Sequence, residues 1–237
     1  MAKQTKKASK TISFIIPAFN EEASVFQTIT TLPYKELHSQ GYEVECLIVN
    51  NNSTDNTVKL ALEAGARVVN EKVQGYGAAY KKGFQTAKGD ILVCGDCDGT
   101  YPFAVTPKLV DILINENLDI ITTNRFENGF LKQNNMPIVN RLGNLLLTYE
   151  ASLLYNNAIS DIMSGMWVLK KEALAEINLR FDDMSFSHNI KIEMIHHKKC
   201  RWKQIPIEYN ARQGSSKLNV AKDGYHCFKN MLVRKLT

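Results

Sequence analysis

The sequence Leu92-Val-Cys-Gly-Asp-Cys-Asp-Gly-Thr-Tyr101 contains the feature around which the rest of the chain is organised. Apolar residues lead into it, and Gly99 and Pro102 follow its acidic residues. This order indicates a buried strand that ends in an exposed turn. The turn carries two carboxylates, Asp96 and Asp98, one residue apart.

Two carboxylates on such a turn can converge on one hard cation. Mg²⁺ or Mn²⁺ usually takes one or two protein carboxylates, together with phosphate oxygens and water. A diphosphate held by such a cation becomes a better leaving group. The alternative interpretation is a polar strand end that binds no ligand. Features elsewhere in the sequence are needed to choose between a cation site and this alternative.

Strand and helix patterns alternate around this turn. The other predicted strands of the first half are residues 11–17, 43–49, 67–70 and 119–123, and the predicted helices are 25–32, 56–64, 75–87 and 102–117. The first strand is almost entirely apolar, as expected for a strand that is covered on both faces. This alternation predicts an α/β fold, with a mostly parallel sheet and helices on both faces.

Polar loops follow three of these strands, and they comprise residues 18–22, 50–55 and 96–101. Ligands of open α/β sheets bind at the carboxyl ends of the strands, so we expect these loops to share one rim. Asn50 and its neighbouring amides suit a nucleobase edge, but also an Asx-turn with a helix N-cap. Phe19 suits either stacking on a base or filling the core. Gly75 and Gly77 lack the rest of a phosphate-binding fingerprint and indicate close packing of a helix on the sheet.

The second half of the chain is less regular. Its predicted strands are residues 166–169 and 202–209, and its predicted helices are 138–155, 186–197 and 219–236. Arg125 ends a strand at the same rim, and Arg141 lies on the helix over 138–155. Asp161 begins a turn with Ser164, where it either orients a ligand or caps the turn.

Composition narrows the class of protein. The 237 residues are 44% hydrophobic, enough for one large α/β domain or two small ones. The net charge of +5 is too weak to indicate nucleic acid and suits an anionic ligand or a lipid surface. No apolar run approaches the roughly 18 residues of a membrane span, and the lysine-rich start predicts no signal peptide. Five cysteines without framework spacing suggest a reducing compartment.

Six motifs occur in a fixed order over residues 12–220. They are Phe14-Ile-Ile-Pro-Ala-Phe-Asn-Glu-Glu22, Val49-Asn-Asn-Asn-Ser-Thr-Asp55, Gly75-Tyr-Gly-Ala-Ala79, Gly95-Asp-Cys-Asp-Gly-Thr-Tyr-Pro102, Asp161-Ile-Met-Ser-Gly165 and Arg212-Gln-Gly-Ser-Ser-Lys-Leu218. With these motifs the chain resembles the GT-A glycosyltransferases of family 2, and most closely the dolichyl-phosphate or polyprenyl-phosphate hexose transferases. The last motif is the one that points toward lipid-phosphate acceptors.

The resemblance implies a GT-A (Rossmann-like) catalytic domain over residues 11–218, after a disordered basic tail over 1–10. The implied nucleotide-binding residues are Pro17, Phe19, Glu21, Asn50 and Asp96, and the implied metal ligands are Asp96 and Asp98. Asn50 stands where the family usually has an aspartate, which leaves the choice of a uridine or guanosine donor open.

The resemblance also implies residues that act on the reacting groups. The implied catalytic residues are Asp98, Asp161, Arg212 and Lys217, the last two on a mobile loop that closes over the diphosphate. Arg125, Arg141 and Ser164 are implied near the acceptor or donor phosphates. For the two arginines a surface charge is the alternative interpretation.

The implied activity is inverting transfer of a hexose from a GDP- or UDP-linked sugar to a polyprenyl or dolichyl phosphate, with Mg²⁺ or Mn²⁺ as cofactor. A lipid phosphate is already anionic, so the protein would mainly position the attack and stabilise the leaving diphosphate. The alternatives are a family 2 transferase acting on a saccharide hydroxyl and a non-catalytic protein that binds a nucleotide sugar.

A lipid acceptor implies contact with a membrane surface, and no nucleic acid is expected as partner. We predict a cytoplasmic protein, peripheral to the cytoplasmic face of a membrane. The segment 219–237 is predicted to be a helix, possibly interfacial, with Val220, Phe228, Met231 and Leu232 broadly on one side. The alternatives are that this helix packs back on the domain or docks on a membrane-protein partner.

Overall fold

The computed structural model describes residues 10–126, 129, 135–156, 158–175, 177–197 and 200–236, so the expected tail lies almost wholly outside the described residues. The strands are β1 (Thr11–Ala18), β2 (Glu43–Asn50), β3 (Arg67–Asn70), β4 (Ile91–Cys94), β5 (Ile120–Asn124), β6 (Trp167–Lys170) and β7 (Trp202–Pro206). The α-helices are α1 (Val25–Thr30), α2 (Tyr34–Ser39), α3 (Thr57–Glu63), α4 (Tyr76–Thr86), α5 (Thr106–Asn115), α6 (Ile138–Tyr155), α7 (Phe186–Ile192) and α8 (Val220–Leu236). A π-helical segment, Glu193–His197, continues α7.

The strands form one sheet in the order β3-β2-β1-β4-β6-β5-β7. Neighbouring strands are parallel except at β6, which runs antiparallel to both β4 and β5. Helices cover both faces, so the predicted fold class is confirmed. Because β6 is reversed, its first residue, Trp167, pairs with Cys94 and Thr122 toward the carboxyl ends of β4 and β5. The segment that precedes β6 therefore enters the same rim as the loops after β1, β2 and β4.

The core is divided between the two faces of the sheet. Successive side chains of a strand point to opposite faces. Phe14 and Ile16 therefore pack toward α1, α3 and α5, whereas Ile15 packs toward α4 and α7. All three are fully buried, and burying a side chain of this size stabilises the fold by about 1.5–3 kcal/mol. The apolar run in β1 thus supplies two cores at once.

Helices α6 and α8 form a third cluster outside the sheet, with buried contacts among Leu147, Ala151, Tyr155, Cys227 and Met231. The Tyr155 hydroxyl donates to the backbone oxygen of Met231 at 2.8 Å. The prediction that Met231 shares the exposed side of the last helix is therefore wrong, because that residue faces α6 and is fully buried. Phe228 and Leu232 do remain partly exposed. Among the described residues, no helix is both long enough and apolar enough to cross a membrane.

Several elements differ from the sequence-based expectations, and three of the differences are larger than a residue or two at an end. The sequence does not predict α2, whose one buried residue, Leu37, gives no helical periodicity. The helix expected over 102–117 is a 3₁₀ turn followed by α5, with Pro107 in the first turn of α5. Strand β7 ends at Pro206, three residues before the expected end at 209.

Candidate active site

Asp98 lies four residues beyond the end of β4 and is 2% exposed. Its Oδ1 accepts hydrogen bonds from the Thr100 backbone N–H at 3.0 Å and the Thr100 hydroxyl at 2.6 Å. Its Oδ2 lies 2.7 Å from a terminal nitrogen of Arg212. Gly99 adopts a φ of +77°, which side chains beyond glycine rarely tolerate. The turn therefore fixes the direction in which the Asp98 carboxylate points.

Asp96 lies beside this carboxylate and accepts a 3.2 Å hydrogen bond from the Tyr76 hydroxyl. Burial and the nearby Asp98 charge raise the pKa of Asp96 to about 7, while the Arg212 and Arg125 guanidiniums oppose the rise. Two carboxylates that resist simultaneous ionisation are stabilised by a cation between them. Among the described residues no cluster of three His, Cys, Asp or Glu side chains forms, so a cation bound here must complete its shell with substrate and water.

Two cavities meet at this turn. The strand-side cavity has a volume of about 230 Å³, and residues that line it include Pro17, Phe19, Glu21, Asn51, Gly75, Asp98 and Lys217. The helix-side cavity has a volume of about 350 Å³, and residues that line it include Tyr101, Arg125, Asn144, Leu147, Gly165, Met184 and Cys227. Tyr76, Asp96 and Arg212 line both cavities. Ligands in the two cavities would therefore both lie beside Asp96 and Arg212.

The loop over 212–217 covers the junction of the two cavities. Arg212 pairs with Asp98, and Lys217 pairs with Glu21 at 2.8 Å while also donating to the Asn20 backbone oxygen at 2.9 Å. The Gln213 backbone N–H donates to the Asp98 backbone oxygen at 2.8 Å. Both predicted loop cations thus contact acidic residues of the strand-side cavity.

Arg125 and Asp161 form a buried ion pair. Nε and Nη2 of Arg125 donate to the two carboxylate oxygens of Asp161, each at 2.8 Å. Burial alone would raise the pKa of Asp161, but the Arg125 guanidinium holds it below its ordinary value. Asp161 is fully buried, whereas Arg125 lines the helix-side cavity. The surface interpretation of Arg125 is therefore wrong, and the turn at Asp161 serves to orient this cation.

Asn50, predicted to read the base, does not line either cavity. Its amide donates to the Asn70 side chain at 2.8 Å, and its oxygen accepts from the Ser53 backbone N–H at 3.0 Å. The next residue, Asn51, lines the strand-side cavity instead. Its side chain holds residues 71–75 by donating to the Val73 oxygen at 2.7 Å and accepting from the Gly75 N–H at 2.8 Å. The Asx-turn interpretation of this run is thus the one that the geometry supports.

Arg141 and Ser164 also lie back from the cavities. Arg141 is on α6 but is not among the described residues that line the helix-side cavity, to which Asn140 and Asn144 contribute. The Ser164 hydroxyl lies 2.6 Å from the Thr123 hydroxyl, inside the core. Ser164 is fully buried and not positioned to meet a phosphate directly, whereas a phosphate contact of Arg141 stays a prediction.

Sequence reasoning missed two tyrosines of the site, Tyr76 and Tyr101. The Tyr101 hydroxyl accepts a hydrogen bond from the Gly165 N–H at 2.6 Å. Tyr76 stands between the two glycines that were predicted to permit close packing. A Cβ on Gly77 would lie 2.3 Å from the Phe181 backbone oxygen, so the glycines do permit close packing, but against residues 181–186 rather than against the sheet. An aromatic residue between two packing glycines is the signal that could have identified Tyr76.

Comparison with known proteins identifies the family. The family model for glycosyl transferase family 2 matches residues 13–177. The chain is 32% identical over 223 residues to the low-salt glycan biosynthesis hexosyltransferase Agl6 of Haloferax volcanii, covering 94% of this chain and 53% of that protein. It is 28% identical over 211 residues to a dolichyl-phosphate hexose transferase of the same organism, covering 88% of this chain and 86% of that protein. The chain thus spans about half the length of the first of these relatives.

A solved structure carries the same fold. Glucosyl-3-phosphoglycerate synthase from Mycobacterium tuberculosis, in complex with Mn²⁺, uridine diphosphate and phosphoglyceric acid, superposes with a TM-score of 0.78 at 22% identity, covering 97% of this chain and 80% of that chain. This likeness establishes a GT-A fold. Together with the match over residues 13–177, it shows that the chain belongs to glycosyl transferase family 2.

Proposed function

We propose that this protein transfers a hexose from a nucleoside diphosphate sugar to a polyprenyl or dolichyl phosphate, with inversion at the anomeric carbon. The observation that carries this proposal is the junction of two cavities at Asp96 and Arg212. One cavity presents Phe19, Glu21 and Lys217, side chains that suit a nucleotide. The other combines a cation, Arg125, with apolar walls, which suits a lipid phosphate.

The donor nucleotide is assigned to the strand-side cavity. Phe19 and Pro17 offer apolar surfaces to a base, and Glu21 offers a carboxylate that now binds Lys217. The Asn51 amide is occupied by Val73 and Gly75 of the loop after β3, so base recognition falls to other groups of the cavity, among them backbone N–H and C=O. This arrangement is compatible with a uridine or a guanosine donor.

Asp96 and Asp98 fit a divalent cation, Mg²⁺ or Mn²⁺. Their mutual repulsion, seen in the raised pKa of Asp96, would be relieved by a dication. A solved structure of the same fold was determined with Mn²⁺ and uridine diphosphate. Such an ion neutralises charge on a leaving diphosphate. Arg212 now occupies Oδ2 of Asp98, so this oxygen becomes available only when Arg212 turns to another anion.

The acceptor phosphate is assigned to the helix-side cavity, beside Arg125. A phosphate anion needs no general base, so the protein's tasks are to hold it in line with the anomeric carbon and to stabilise the leaving group. Asp161 does not serve as a base in this account, because both its oxygens bind Arg125. Asp161 instead fixes the cation that meets the acceptor. A single displacement then inverts the anomeric centre.

The outer face of α6 supports a membrane surface as partner. Large apolar side chains on this face are 49–70% exposed, and they are Ile138, Val139, Leu142, Leu145, Leu146, Tyr149 and Leu153. Exposed apolar patches of this kind mark interaction sites. Phe228 and Leu232 extend the patch onto α8, beside exposed Lys229 and Lys235 that suit anionic headgroups. We place the protein peripherally at the cytoplasmic face, with a membrane-protein partner as the competing occupant.

The proposal is tested with a panel of donors and acceptors. Labelled UDP- and GDP-hexoses are each incubated with polyprenyl phosphate in liposomes, with a free oligosaccharide, and without acceptor. We expect label in the lipid fraction with one donor, and none with the oligosaccharide. Transfer to the oligosaccharide alone would establish a saccharide hydroxyl as acceptor. Donor binding without transfer to any acceptor would establish a non-catalytic protein.

A further inference from the structure

Lys191 is a fully buried lysine on α7 that has no part in the transfer described above. Its Nζ donates to the backbone oxygens of Ile162 at 2.5 Å, Ser164 at 2.6 Å and Ser187 at 3.0 Å. Three carbonyl acceptors require three N–H donors, and among lysine's two forms only the charged ammonium supplies three. The three backbone acceptors around Nζ therefore suit a charged ammonium beneath residues 161–165.

Burial and the Arg125 guanidinium lower the pKa of Lys191 and disfavour this charge, whereas other neighbours favour it. Among those neighbours, the Asp161 carboxylate raises the pKa. The ammonium also lies 5.3 Å from the centre of the Trp167 ring, where a cation–π attraction adds to the three hydrogen bonds. Because burying a charge is costly, an ammonium here needs well-placed hydrogen-bond acceptors. Two of the three backbone acceptors, the oxygens of Ile162 and Ser164, belong to the short segment 161–165.

That segment, 161–165, contributes Met163 and Gly165 to the wall of the helix-side cavity. At its start Asp161 binds both donor nitrogens of Arg125. At its end Gly165 approaches Asp96 so closely that a Cβ there would lie 3.3 Å from Oδ2 of Asp96. Lys191 binds the segment between these two ends, through the backbone oxygens of Ile162 and Ser164. A shift of the segment would therefore displace the acceptor cation relative to the carboxylate pair.

We infer that Lys191 is a positioning residue for the transfer step, holding residues 161–165 so that Arg125 and Asp96 keep their relative placement. This inference rests on the proposed function, since it assigns Arg125 to the acceptor phosphate. It distinguishes Lys191 from a residue that only stabilises the fold. A residue of that second kind would change the folded fraction without changing turnover by the molecules that remain folded.

The test compares three variants at a temperature where all are folded. Lys191→Met removes the ammonium with little change in volume, and Lys191→Gln keeps two donor hydrogens. Ile190→Ala, its neighbour on α7, is the matched control, because it weakens the core without touching residues 161–165. Rates with labelled donor and polyprenyl phosphate give kcat and KM. Hydrogen exchange of a peptide covering 159–167 reports the segment itself.

We expect Lys191→Met to lower kcat about 10- to 100-fold, as a small misplacement of a positioning group does, with donor binding unchanged. Exchange in 159–167 should accelerate, Lys191→Gln should be intermediate, and Ile190→Ala should resemble the wild type in both measurements. Equal kcat values for Lys191→Met and Ile190→Ala would overturn the inference. If the wild type transfers no sugar, the proposed function fails, and unchanged exchange in Lys191→Met would then overturn the positioning role independently.

Discussion

The two cavities of the site are built in different ways. The strand-side cavity is formed by loops at the ends of β1, β2 and β4, whose relative positions are fixed by parallel pairing such as Ala18 with Asn50 and Ile15 with Cys94. The helix-side cavity depends on α6 and α8, which pack on each other outside the sheet. Helix α8 is also tied to the segment that continues α7 by the buried ion pair of Arg234 with Glu193.

This difference separates the tasks of the two sides. The hydrogen-bonded register of the strands fixes the positions of the polar groups that follow them. Fixed positions suit the binding of a nucleotide and its cation. Helix packing leaves one side of α6 exposed and apolar. Substitutions in the helices can therefore change the helix-side cavity without disturbing the sheet. We infer that the strand side carries chemistry common to the fold and that the helix side selects the acceptor.

The largest effect is expected on the strand side, at Asp98. Asp98→Ala should reduce turnover about 100- to 1,000-fold or more, because the carboxylate that holds the cation and orients Arg212 is lost. Initial rates with and without chelator measure this effect, and excess chelator should reduce the wild type in the same way. Asp111→Asn, on the exposed side of α5, is the control. Undiminished turnover in excess chelator would contradict the prediction.

The ion pair between Arg125 and Asp161 should dominate stability at the junction. Asp161→Asn leaves a buried guanidinium without its counter-charge and should lower the free energy of unfolding by about 3–5 kcal/mol. The matched control is Glu116→Gln, whose pair with Lys203 is about half exposed and should contribute less than about 1 kcal/mol. Urea unfolding measures both changes. Equal changes in the two variants would show that the buried pair contributes no more to the free energy of unfolding than the half-exposed pair.

The loop cations should affect chemistry more than binding. Arg212→Ala and Lys217→Ala should each raise the barrier to transfer by about 2–4 kcal/mol, because both cations meet charge that develops on the leaving diphosphate. The change should appear in kcat rather than in the acceptor KM. Steady-state kinetics with Lys108→Ala, an exposed lysine of α5, as control tests this. Wild-type turnover in both loop variants would assign the loop another task.

The apolar face of α6 should be needed for membrane contact but not for folding. Leu146→Asp should weaken binding to anionic liposomes about 10-fold, the loss expected when one leucine no longer enters an apolar phase. Leu62→Asp, at a similarly exposed leucine on α3, should have no effect. Sedimentation with liposomes at low and high salt measures the binding. Absence of binding by the intact protein at low salt would favour docking on a membrane-protein partner.

A pH-dependent change in stability is expected at Glu150, a buried residue of α6. Burial raises the pKa of its carboxyl from 4.5 to about 7. The unfolded chain ionises first, so stability is lost as the pH rises from 4.5 through about 7. Glu150→Gln should therefore have a higher Tm than the wild type at pH 8, with this advantage absent at pH 4. Thermal unfolding with exposed Glu43→Gln as control measures it, and a Tm difference independent of pH would contradict the prediction.

Sequence reasoning succeeds where the sheet dictates geometry. The alternation of strands and helices predicts the fold, and the position of Asp96 and Asp98 after an apolar strand predicts the rim. Sequence reasoning fails where the direction of a side chain determines whether a residue faces the cavity. Asn50 and Asn51 are neighbours at a strand end, and only the backbone turn determines which one faces the cavity. The burial of Met231 and the exposure of α6 depend on how two helices pack, which periodicity within each helix does not specify.

The central claim, that a lipid phosphate enters beside Arg125 between α6 and α8, is tested most directly by photo-crosslinking. A photoreactive polyprenyl phosphate in liposomes is activated on the intact protein, and labelled peptides are mapped by mass spectrometry. We expect label on α6 and on residues 218–227, and we expect excess unlabelled polyprenyl phosphate to reduce it. Label on α3, or label that unlabelled lipid does not displace, would contradict it.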